Sequence, residues 1–126
     1  MLVVGCGVSK ETTIWKATEE GDASIVELLI SLGQDVNAKN DSGDTPLLRA
    51  AVFGREEVAN LLMSKGAKVN TQNKFGYTPL DMAIKLNKTK TADLLRKHGG
   101  KTGKELKKCQ IELKKVDLLG KVANTP

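Results

Sequence analysis

The chain repeats itself at a step of 33 residues. The stretch "GDTPLLRAAVFGREEVANLLMSKGAKVNTQN" from Gly43 lies over "GYTPLDMAIKLNKTKTADLLRKHGGK" from Gly76. Thr45, Pro46, Leu47 and Ala50 fall on Thr78, Pro79, Leu80 and Ala83, and Leu61–Leu62 fall on Leu94–Leu95. One step back, Thr12, Ile14, Ala17, Gly21, Leu28–Leu29 and Gly33 hold the same register. Such a unit is too small to bury its own apolar face, so neighbouring units must stack on one another. Three units fill residues 12–100, at about 12–39, 40–72 and 73–100. A segment 1–11 precedes them and a basic tail 101–126 follows.

Each unit predicts two short helices and a loop. Thr45 and Thr78 are N-cap residues, and Pro46 and Pro79 take the first helical position, where a missing N–H costs nothing. Leu47, Ala50 and Ala51 form a narrow apolar stripe whose small residues let a second helix come close. Gly21 and Gly54 end the first helices, with Asn87 as the left-handed substitute in the third unit. The second helices place Ile25, Leu28, Leu29 and Leu32 on one face, and Val58, Leu61 and Leu62 on the next, and they close on Gly33, Gly66 and Gly99. In the tail, Thr102 and Glu105 have capping-box spacing. Leu106, Cys109, Leu113 and Val116 continue an amphipathic stripe, with Lys107, Lys108, Lys114 and Lys115 outward.

With its 33-residue step, the pattern "TPL..AA..G....A.LL...GA.VN" resembles the ankyrin repeat over about seventy per cent of the chain. The resemblance implies an all-α solenoid of three helix-turn-helix units with short β-turn fingers at "NAKNDSGD" and "NTQNKFGY", closed by a C-terminal capping helix. The family motif often carries His after Thr-Pro-Leu, and here Trp15, Leu48 and Asp81 stand there instead. The resemblance also implies a non-catalytic module that binds another protein through its fingers and the inner face of its first helices.

Charge and composition narrow the alternatives. Residues 12–98 carry twelve Lys/Arg against eleven Asp/Glu, while residues from Gly99 onward carry seven Lys against three acids. The basic character therefore belongs to the tail, which has no Arg and no aromatic residue. Stacking and bidentate base contacts are missing there, which argues against nucleic acid as a partner. One His and no Cys-x-x-Cys leave no zinc site of usual spacing, and no triad or cofactor motif is present. No catalytic residue, metal ligand or cofactor is expected, and the chain is expected to be a monomer.

The opening "MLVVGCGVSKET" is not a dinucleotide or P-loop motif, because Lys10 replaces the third glycine and no Gly-Lys-Ser/Thr follows. "VVGC" is similar to a bacterial lipobox, which would make Cys6 a lipidated residue, although only Leu2 to Gly5 remain of the apolar run that a signal requires. Two readings stand. A start at Met1 gives a short apolar N-terminus and a cytoplasmic protein. A truncated signal gives a lipid-anchored envelope protein, and only then a membrane partner.

The positions not needed for stacking within the units are Asp41, Ser42, Asp44, Val52 and Phe53, then Lys74, Phe75, Tyr77, Lys85 and Leu86, with Glu19 and Glu20 in the first unit. Three of the four aromatic residues fall in this set, and Trp15 adjoins it. Aromatic side chains anchor interfaces more than most residues do. The expected partner-binding set is Trp15, Asp41, Ser42, Asp44, Phe53, Lys74, Phe75, Tyr77 and Lys85.

Overall fold

A computed structural model describes residues 13–108; Cys6 and the tail stripe beyond Lys108 lie outside the described residues. Six helices pair off along the chain: α1 (Ile14–Glu20) with α2 (Ala23–Ser31), α3 (Pro46–Phe53) with α4 (Glu56–Ser64), and α5 (Pro79–Lys85) with α6 (Thr89–Lys97). A seventh, α7, covers residues 103–108 of the described part. The first helices stack as α1, α3 and α5, and the second helices as α2, α4 and α6. The described residues are all helix and loop.

Local chemistry sets the helix ends. Thr45 and Thr78 accept from the N–H groups of Leu48 and Asp81, with Pro46 and Pro79 opening each helix. In α1 the cap is Thr13, whose hydroxyl accepts from Lys16 N at 3.2 Å. The first unit has no proline at this place, so a hydroxyl takes the cap one residue later than the repeat register predicts. Gly21 and Gly54 end α1 and α3 at positive φ, and Asn87 does the same at φ 60° after α5. A side chain with Cβ is strained in this region, and Asn tolerates it best.

Burial sorts the apolar residues of the second helices. Val26 and Leu29 of α2, Val58, Ala59 and Leu62 of α4, and Leu95 of α6 form the core with Ile14, Ala17, Leu47, Ala50, Ala51, Leu80 and Ala83. The broad face expected from spacing is therefore narrower. Leu29, Leu62 and Leu95 are the buried members of the paired leucines, while Leu61 and Leu94 are half-buried and Leu28 and Leu32 are exposed. The inner helices sit on one side of each second helix, and only the residue pointing at them is enclosed.

Side chains knit one unit to the next. Asn37 Oδ1 accepts from Lys68 N at 2.7 Å, and 33 residues on Asn70 Oδ1 accepts from Lys101 N at 2.7 Å. Their amide groups reach the carbonyls of Gly66 and Gly99. The capping box expected at the tail forms: Thr102 Oγ1 accepts from Glu105 N, and Glu105 Oε1 accepts from Thr102 N. Arg96 donates to both Glu105 oxygens, at 3.0 and 3.1 Å. Gly103 N donates to Asp81 Oδ2 at 2.7 Å, which ties the start of α7 to the start of α5.

Candidate functional site

The fingers are built from asparagine. Asn40 Oδ1 accepts from the N–H groups of Ser42 and Asp44, and Asn73 Oδ1 from those of Phe75 and Tyr77. Each side chain thus satisfies two donors of its own turn, the reason Asn dominates such positions. The fingers join edge to edge through Lys74 N, which donates to Ser42 O at 3.1 Å. This holds Asp41 and Ser42 of one finger beside Lys74 and Phe75 of the next, all four exposed.

Two residues of the expected set also have a structural place. Asp44 is 6% exposed. Its Oδ1 accepts from Asn73 Nδ2 at 3.0 Å and its Oδ2 from Arg49 Nη1 at 3.3 Å, so it links the two fingers and the inner helix between them. Trp15 Nε1 donates to Ala38 O and Asp44 O, both at 3.1 Å, which fastens the finger over α1. Its half-buried ring packs against the core. The positions occupied by family His are thus used in three ways: Trp15 holds a finger, Leu48 is buried, and Asp81 completes a capping box and reaches α7.

The remaining residues do make an accessible face. Phe53 is 39% exposed at the end of α3, and Phe75 is 73% exposed on its finger. Tyr77 is half-buried, with Lys85 Nζ lying 4.8 Å from its ring centre. Arg49, which the repeat pattern does not single out, organises the middle of the face. Its guanidinium pairs with Glu19 at 2.6 Å, contacts Asp44, and sits 5.2 Å from the centre of the Phe53 ring. Both cation–ring distances fall within the range of favourable attraction. The same step carries the exposed Lys16 in the first unit and the half-buried Met82 in the third, so the repeat register gives no signal that singles out Arg49. Its half-buried guanidinium needs acids nearby, and Glu19 and Asp44 supply them.

The family profile described as ankyrin repeats in three copies matches residues 14–106. The chain belongs to the ankyrin repeat family. Ankyrin repeats are generally protein–protein interaction modules without catalytic activity. No curated protein matches the chain.

In ankyrin terms the exposed set runs along the inner face and finger tips. Equivalent positions change character from unit to unit. Glu19, Val52 and Lys85 occupy one row; Glu20, Phe53 and Leu86 occupy the next. On the fingers, Asp41 gives way to Lys74 and Ser42 to Phe75. The face thus runs from acidic at the first unit, through Val52 and Phe53, to basic with apolar neighbours at the third.

Proposed function

We propose that this ankyrin protein binds a protein segment laid across its inner face, with Phe53 and Phe75 as anchors. The supporting observation is the exposure of these two rings, 39% and 73%, on a face whose other aromatic residues, Trp15 and Tyr77, are half-buried. Exposed aromatic groups on a rigid scaffold gain contact area with little loss of side-chain freedom. Asp41, Ser42, Lys74, Lys85 and Tyr77 form the polar surround, while Asp44 and Trp15 hold the fingers in place. The acid-to-base gradient gives the partner a direction. Its basic end lies over Glu19, Glu20 and Asp41, and its acidic end lies over Lys74 and Lys85.

The test is capture from the source cells, followed by titration of the captured protein against variants. Phe53→Ser and Phe75→Ser should each weaken binding at least tenfold, with the unfolding midpoint unchanged for Phe75→Ser and lowered far less by Phe53→Ser than by Leu62→Ala. Lys85→Glu should slow association, and added salt should shrink that difference. Ring variants that bind as tightly as the wild type would place the contact elsewhere.

A further inference from the structure

Thr91 is a buried polar residue without a partner. The other buried polar side chains of the described residues, Thr18, Asp44, Thr45 and Thr78, all form hydrogen bonds. Thr91 is 1% exposed and stands where the second unit has the fully buried Val58, yet its hydroxyl forms none. No side-chain oxygen of the described residues is both sealed from solvent and unpartnered, so the hydroxyl is the part of Thr91 left open. It opens into a pocket of about 220 Å³, lined by residues 87–91 with Gly54 and Glu56. A hydroxyl in place of a valine methyl is costly to bury unless something bonds to it.

The rest of the pocket is a set of donors. It sits at the start of α6, where no side chain caps the helix and no acid stands in the first turn. The N–H groups of Thr89, Lys90 and Thr91 have no acceptor among the described residues. By contrast, Asp22 caps α2 and Glu56 and Glu57 open α4. Lys88 and Lys90 add two cations to the partial positive charge of the helix end. The Lys88 stem is held against the end of α3, since a Cβ at Gly54 would stand 2.9 Å from Lys88 Cδ. One unit back, Arg55 lies over Gly21 in the same way, but its Nε is occupied, donating to Glu19 O at 2.9 Å.

We propose that this pocket binds the phosphate group of a phosphorylated side chain in the protein partner. A phosphate dianion offers acceptor oxygens to the helix N–H groups, the Thr91 hydroxyl and both lysines together. Glu56 is the one acid on the wall and opposes it. The described lining holds no aromatic ring on which a nucleotide base could stack. Position favours a protein segment: Gly54 and Asn87 directly follow Phe53 and Leu86, which share a row of the inner face. The phosphate site stands on its own residues, while its assignment to the partner rests on the inner-face reading above.

The experiment follows the amide resonances of Thr89, Lys90 and Thr91 in the full chain, during titration with N-acetyl-phosphoserine methylamide at constant ionic strength. All three should move and saturate, and N-acetyl-serine methylamide should leave them in place. Thr91→Val copies the second unit, so the fold tolerates it; it should weaken binding at least threefold without lowering the melting temperature. Lys90→Gln should weaken binding by a similar factor, and Glu56→Gln should tighten it. Amides that stay in place, or a Thr91→Val variant that binds as the wild type does, would overturn the proposal. Phosphatase treatment of the captured partner should weaken its binding at least tenfold, and undiminished binding would overturn the assignment to that partner. Vesicles containing phosphatidylinositol phosphate should not sediment the protein; sedimentation that Thr91→Val abolishes would assign the pocket to a membrane and overturn the proposal. Phe53→Ser should leave the phosphoserine titration unchanged, so failure of the inner-face reading and failure of the phosphate site are separate results.

Discussion

Asp41 and Asp44 sit three residues apart in one finger, yet the geometry gives them opposite weights. Asp44→Ala removes a buried acceptor of two donors, Asn73 Nδ2 at 3.0 Å and Arg49 Nη1 at 3.3 Å. A hydrogen bond to a charged group contributes about 1.5–3 kcal/mol. The Arg49 contact is long, and Arg49 keeps its pair with Glu19 at 2.6 Å, so most of the loss falls on the link to Asn73. A loss of about 2 kcal/mol is expected. Asp41 is exposed, and Asp41→Ala should stay within about 0.5 kcal/mol of wild type. With a urea slope of about 2 kcal/mol per molar, Asp44→Ala should lower the unfolding midpoint by about 1 M. Trp15 is the single tryptophan and donates to Asp44 O, so its fluorescence reports on this finger directly. Equal midpoints for the two variants would refute the bridging role of Asp44.

Two further outcomes follow from packing and charge. Leu62 is fully buried, and Leu62→Ala should cost roughly 2–5 kcal/mol by leaving a cavity, while the half-buried Leu61→Ala should cost clearly less in the same denaturation series. The Thr102 backbone N–H, with help from the Arg96 guanidinium, holds the Glu105 carboxyl down at about 2, against an ordinary 4.5. A lowered folded-state value means that its contribution is complete above about pH 4.5 and is lost as pH falls toward about 2. Protection of the α7 amides, taken relative to the exchange rate of an unstructured peptide at the same pH, should therefore fall across that window, and Glu105→Gln should flatten the change. The effect should be small and should shrink with salt, because the pair is exposed.

Signals that act over three or four residues are legible in the amino-acid sequence by itself. The caps at Thr45 and Thr78, the left-handed residues Gly21, Gly54 and Asn87, and the Thr102–Glu105 box all follow from backbone sterics and side-chain reach. Repetition at 33 residues then requires stacking, because no unit buries its own face. Exposure on the candidate face is legible in part: Phe53 and Phe75 are accessible as expected, and Asp44 is not. The difference lies in contacts between units. Asp44 meets Asn73 from the neighbouring finger, Arg49 of α3 meets Glu19 of α1, and Trp15 reaches a carbonyl 29 residues away. Spacing along one helix names a face that could be buried. The packing of adjacent units selects Leu29 over Leu28 and Leu62 over Leu61, because enclosure depends on which side the neighbouring helices occupy.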